Sequence, residues 1–223
     1  MNFDFSPLII SLKTSLTAGL ITFVLGLFCA RVFLRAHGLI RWVLDVLFTL
    51  PLVLPPTVVG FILLIIFGKN SVVGQALGHL DISIIFSWQA TVIAAVVVSF
   101  PLMYRAAKGA LDQVDERLIW AGRTLGMTEL SIFLRVQIPQ AWPGIAAGAV
   151  LSFARALGEF GATLMIAGNI SGRTQTIPLS IYFATAAGNM RLAAIWAVII
   201  TVISCAVLAA TNTLGARAVR RRI

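Results

Sequence analysis

The sequence predicts an all-α integral membrane helical bundle with five transmembrane helices, and three observations carry that prediction. Of 223 residues, 59% are apolar and 11% charged, too few charges to cover a water-facing globule. Five apolar segments, at 8–30, 43–67, 86–104, 143–167 and 191–213, reach or approach the roughly 20 residues a helix needs to cross about 30 Å of hydrocarbon. The basic residues gather on alternate connections between them, as retention of Lys and Arg on the cytoplasmic side requires. Twelve, from Arg31 to Arg222, fall on one side, whereas Lys69, Arg173 and Arg191 fall on the other. This places the amino terminus outside and the carboxyl terminus inside.

The first segment follows Asp4 and closes on Arg31. With no basic cluster before it and no small-residue cleavage site after it, it is expected to stay in the mature protein. The second contains the run Leu50-Pro51-Leu52-Val53-Leu54-Pro55-Pro56-Thr57. Each interior proline removes a donor and clashes with the preceding turn, so this helix is kinked or broken. Its freed carbonyls require neighbouring helices or water. Both a static packing kink and a moving hinge fit.

Between the third and fourth segments, residues 105–142 form a long polar excursion. Leu111, Val114, Leu118, Ala121 and Leu125 recur at helical spacing, predicting one amphipathic helix. Gly126 is placed to end it in a left-handed cap, Thr128 to cap a second short helix, and Pro139 to stop that one before the fourth span begins at Pro143. The pair suits either the bilayer surface or a protein partner.

The fourth segment holds Arg155 and Glu159 at i,i+4 spacing, with Gly144, Gly148, Ser152 and Ala162 on nearly the same stripe. A charge alone at mid-bilayer costs at least about 2.5–3.5 kcal/mol, so the two are expected to pair on a face turned to protein or water. The pair could lock helices together, or Arg155 could help an anion pass. After it, residues 168–178 form an outer loop dense in hydrogen-bond donors, able to receive an oxyanion or to serve as an ordinary solvated loop.

Several classes are excluded. The net charge of +9 is scattered between apolar runs rather than gathered on a nucleic-acid-binding face. Cys29 and Cys205 lie within apolar segments and form no metal-ligand pattern. No His, Asp or Cys constellation for an intramembrane enzyme occurs in the spans. No phosphate-cradling glycine loop is present, so the chain is expected to bind no ATP and to be no enzyme. A passive anion channel would show ATP-independent flux through this chain alone.

The 105–142 excursion resembles that of ABC importer permeases, whose loop carries Glu-Ala-Ala, then Gly, then a hydrophobic residue and Pro. The matching residues are Trp120-Ala121-Gly122, Gly126 and Ile138-Pro139. Trp120 stands in the Glu position and Gly122 in that of the second Ala. The resemblance implies that residues 118–134 form a coupling helix on an ATPase subunit, with Trp120, Ala121, Gly122, Arg123, Gly126, Met127, Thr128, Ile138 and Pro139 at or supporting the contact. The runs Leu50 to Gly60 and Arg155-Ala156-Leu157-Gly158-Glu159-Phe160-Gly161-Ala162-Thr163, with Gly172-x-Thr174-x-Thr176-x-Pro178, are similar to molybdate permeases. Sulfate permeases share the Gly-Glu-aromatic-Gly core but usually lack the double-proline run and the Thr-x-Thr-x-Pro turn. Ser171 stands where the family often has Pro.

The resemblance implies that Pro51, Pro55, Pro56, Thr57, Arg155, Glu159 and Gly161 serve translocation or helix packing. It further implies that Asn169, Arg173, Thr174, Thr176 and Pro178 serve the outer loop. The implied assembly is a homodimer with two ATPase subunits, which hold the ATP and Mg, and an extracytoplasmic protein that delivers molybdate or tungstate. A sulfate or thiosulfate permease is the alternative.

Overall fold

The computed structural model describes residues 4–34 and 38–220. Arg35, Arg221 and Arg222, counted above for topology, lie outside the described residues. In chain order the helices are α1 (Ser6–Leu34), α2 (Gly38–Val53), α3 (Pro56–Phe67), α4 (Val72–Gly78), α5 (Trp88–Asp112), α6 (Glu116–Thr124) and α7 (Glu129–Ile132). A π-helical turn, Phe133–Gln137, leads into α8 (Ile138–Leu157), α9 (Gly161–Ala167), α10 (Ile177–Ala186) and α11 (Met190–Arg220). No strand occurs among the described residues.

Helices α1, α5 and α11 are long and apolar enough to cross a membrane unbroken. Two further crossings arise if each bent pair is one span: α2 with α3, bent by 114°, and the helix ending in α8 with α9, bent by 55°. Large side chains such as Leu20, Phe28, Val198 and Val202 project outward, as helices solvated by lipid allow.

Helix α5 is the axis of the packing. Small residues let α1 lie close beside it in the same direction. Thr14 shares a 3.0 Å hydrogen bond with Thr91, and a Cβ on Gly26 would lie 2.7 Å from Met103 Cγ. Helix α8 runs the opposite way, with Gly144 against Ala110 and Gly148 against Ala106. Ser152 Oγ donates to the Ser99 carbonyl at 3.2 Å and shares a 3.1 Å hydrogen bond with Thr22. The predicted small-residue stripe of the fourth segment is therefore turned to protein.

The second segment also ascends α5 in reverse. Phe48 meets Phe100 edge-on, with centroids 5.4 Å apart, while Val59 and Leu63 join a buried cluster with Ala90, Ala94 and Val98. These directions bring most of the basic residues together at one end. Arg31 at the close of α1 lies over the Phe133 ring at 4.1 Å, beside the root of the excursion. The opposite end holds Asp4, Ser171 and Lys13, whose ammonium lies 4.1 Å above Trp88.

The local elements differ from expectation in four places. The stripe Leu111 to Leu125 is not one helix: α5 continues to Asp112 and α6 starts at Glu116, with Asp115 accepting from the Arg117 N–H at 2.9 Å. Leu111 and Val114 belong to the buried core, while Leu118 and Leu125 are exposed. Pro139 does not stop a helix: α7, the π-helical turn and α8 run on as one helix from Glu129 to Leu157, and Pro139 lies just after the π-helical turn. Pro143 accordingly lies inside α8 rather than at the start of a span. Finally, the fourth segment is not one helix, and α10, at 10 residues, is an additional apolar helix too short to cross.

Candidate functional site

The excursion is built from short-range capping. Helix α6 closes in a Schellman motif: Met127 N–H donates to the Gly122 carbonyl and Gly126 N–H to that of Arg123, both at 3.0 Å. Gly126 supplies the required left-handed conformation, φ +75°. Thr128 then caps α7, its Oγ1 accepting from Ser131 N–H at 3.3 Å.

Gly122 is buried because α7 folds back over it. A Cβ there would meet Ile132 Cγ1 at 3.0 Å and Met127 Sδ at 3.6 Å, which gives the departure from Ala a packing reason. Arg123 Nε donates to Glu129 Oε1 at 2.7 Å and its guanidinium lies 4.7 Å from the Trp120 ring centroid. The Glu129 hydrogen bond raises the Arg123 pKa. Ala121 is exposed, and its carbonyl accepts from Leu125 N–H.

Large apolar side chains of this excursion are exposed among its charges. Trp120 is 60% exposed, Leu125 80%, Leu130 56% and Leu134 55%. Below them, Ile138 packs against the core cluster and Pro139 is exposed.

The two bent pairs meet at their bends. Helix α8 ends at Leu157, the chain turns through Gly158, Glu159 and Phe160, and α9 begins at Gly161. A Cβ on Gly161 would lie 3.1 Å from Pro56 Cβ and 3.2 Å from the Thr57 backbone nitrogen. One turn on, a Cβ at Gly60 would lie 2.7 Å from Ala162 Cα. Pro55 precedes α3 with an extended backbone, ψ 135°, and Pro51 lies inside α2.

Glu159 stands at this junction with its side chain 2% exposed. Oε1 accepts from Ala162 N–H at 2.7 Å, capping α9, while Oε2 lies 2.9 Å from Arg155 Nη1. The pair forms as the i,i+4 spacing predicts, although the helix ends between its members. The Arg155 side chain is 29% exposed.

Two threonines of the outer loop are turned inward. Thr174 is buried, accepting from Ile170 N–H at 3.0 Å and donating to the Gly168 carbonyl at 3.3 Å. Thr176 is buried at the start of α10, and Pro178 stands in that helix's first turn. Asn169 is half-buried and Arg173 exposed. Ser171 Oγ donates to Asp4 at 3.5 Å, and the Ser6 backbone N–H holds the Asp4 carboxyl below the ordinary range.

A third charged constellation escaped the sequence reading. Asp45 on α2 accepts hydrogen bonds from both Tyr104 and Lys108 on α5. These partners lie 59 and 63 residues away along the chain, so no local spacing betrays them. An acidic residue within an apolar run was the one available signal.

Residues 22–222 match the family described as binding-protein-dependent transport system inner membrane component. The chain belongs to that family. As an inner membrane component it is a multi-pass protein of the cytoplasmic membrane. The molybdenum transport system permease protein ModB of Escherichia coli (strain K12) is 43% identical over 180 residues, covering 80% of this chain and 79% of that one. The sulfate transport system permease protein CysT of Salmonella typhimurium (strain LT2) is 34% identical over 212 residues, covering 95% of this chain and 76% of that one. Among solved structures, a chain of the MetNI methionine ABC transporter, in inward-facing conformations, superposes with a TM-score of 0.74. At 19% identity it covers 95% of this chain and 94% of that one. The inner membrane component fold is therefore shared where little sequence is.

Proposed function

We propose that this chain is the permease subunit of an ABC importer that carries molybdate, or tungstate, into the cytoplasm. The observation that carries the importer reading is the exposed apolar face of α6 and α7, at the basic end of a membrane bundle that lacks a recognisable ATP site of its own. Two ATPase subunits holding ATP and Mg dock on two such faces in a homodimer, and an extracytoplasmic binding protein delivers the anion to the opposite end. ATP binding draws the coupling helices together, and the spans reorient around the path by alternating access. This subunit makes and breaks no covalent bond.

Packing supports five crossings with the amino terminus outside. Helices α1 and α5 run one way while the α2–α3 pair and α8 run the other, and the basic residues share one end. In this reading Arg155 and Glu159 lock the junction of the two bent spans. Burial of Thr174 and Thr176 makes them supports of the outer loop, leaving Arg173 as its exposed cation.

Molybdate is favoured by the higher identity to the molybdenum permease. A sulfate permease is the second reading, because 34% identity to such a protein extends over nearly the whole chain and the tetrahedral dianions differ little in charge. Uptake of labelled molybdate by the reconstituted complex, with excess sulfate present, tests the choice. Undiminished molybdate uptake is expected; dominant sulfate transport overturns the assignment.

A further inference from the structure

Helix α2 is weakly held for half of a membrane span. None of its residues is buried, in contrast to α3, which sinks Val59, Gly60 and Leu63. Its anchorage includes the Phe48 ring, wedged among Phe33 of α1 and Phe100 and Tyr104 of α5, and Asp45, which takes both Tyr104 and Lys108. Trp42, Thr49, Arg105 and Asp112 line an adjoining cavity of about 390 Å³, so one side of the clasp is open.

Position gives the clasp its consequence. Lys108 lies one turn before α5 ends at Asp112, where the chain turns into the excursion bearing Trp120. At its other end α2 runs into the Pro51–Pro56 break, whose far side presses on Gly161. A chain of direct contacts therefore leads from the root of α6 through Lys108 and Tyr104 to Asp45, along α2, and into the junction held by Glu159. A displacement of the end of α5 reaches α2 through the ion pair, a directional contact.

Resting on the importer reading above, we propose that Asp45 is a positioning residue for energy coupling. Clasped to Lys108 and Tyr104, it makes α2 follow the coupling loop and so carries the ATPase stroke to the bent spans. It touches no substrate.

The test uses the complete reconstituted complex and reads molybdate taken up per ATP hydrolysed. Asp45→Asn and Lys108→Met are each expected to lower that ratio about tenfold while hydrolysis stays within about twofold of wild type. The exchange Asp45→Lys with Lys108→Asp should restore at least a third of it. Tyr104→Phe, which removes only a hydroxyl, should lower the ratio about threefold and serves where a charge variant fails to assemble. An unchanged ratio in the assembled variants overturns the proposal, as does a parallel fall of hydrolysis and uptake, which marks a static structural role. If the wild-type complex moves no molybdate on ATP, the importer reading itself fails, a result distinct from either.

Discussion

Glu159 meets two demands with one carboxylate: Oε1 caps α9 and Oε2 neutralises Arg155. Removing it leaves a cation with no counterion and a helix start with no acceptor. Glu159→Ala is therefore expected to cost about 3–5 kcal/mol, as breaking a buried pair does. The double change Glu159→Gln with Arg155→Met keeps an acceptor for Ala162 N–H and removes both charges, so it should recover most of that loss. Thermal unfolding of the purified complex in detergent checks this; a double variant no more stable than Glu159→Ala rejects the pairing account. Gly126 poses a separate case, because a Cβ there meets nothing within 4 Å, yet its φ is +75°. Gly126→Val should cost about 1–2 kcal/mol from backbone conformation alone. Gly126→Asn should cost less, and fraying of α6 in hydrogen exchange distinguishes the two variants. If valine and asparagine fray α6 equally, the left-handed cap is not what closes it.

At the scale of elements, the excursion was legible wherever its signals were local. The caps at Gly126 and Thr128 each act within three to five residues, so chemistry and spacing suffice. The helix before them was misread because apolar periodicity continues through the turn at 113–115. Leu111 and Val114 serve the bundle core, whereas Leu118 and Leu125 face outward, and only the Asp115-Glu116 start signal separates them. The junction of the bent spans was half legible. The prolines and the charge pair announce disruptions, but their mutual contact through Gly161 and Thr57 is tertiary. The clasp at Asp45 was illegible for the same reason. Helix α10 is too short for a span and apolar enough to merge with its neighbours. The exposed Trp120, stacked by Arg123, yields a prediction for the element it crowns. Buried aromatic anchors commonly carry 2 kcal/mol or more of an interface. Trp120→Ala should weaken ATPase-subunit binding about 30-fold in a titration against the membrane-reconstituted permease. Trp120→Glu, which restores the family residue, distinguishes a new apolar anchor from a relocated polar one: weakened binding supports the anchor. Wild-type affinity in the alanine variant removes Trp120 from the interface.

For the whole molecule the decisive property is polarity, because every partner assignment depends on which end faces the cytoplasm. Two independent observations agree. The parallel course of α1 and α5, with α8 opposed, puts residues 105–142 and the close of α1 at one end, joined by Arg31 over Phe133. The opposite end gathers Asp4, Ser171 and Lys13. Basic residues are held on the cytoplasmic side during insertion, so the proposed orientation puts the Arg31 end inside. Arg173 and Arg117 are both exposed and lie at opposite ends, which makes them the natural reporters. After Cys29 and Cys205 are changed to serine, Arg173→Cys should react with a membrane-impermeant thiol reagent in intact cells with a permeable outer barrier. Arg117→Cys should react only once the cytoplasmic membrane is opened. The reverse pattern would put the apolar face of α6 and α7 beyond the reach of any cytoplasmic ATPase. Labelling of both positions from outside would mean that the bent pairs do not complete crossings, since loss of one crossing between 117 and 173 places both residues on one side.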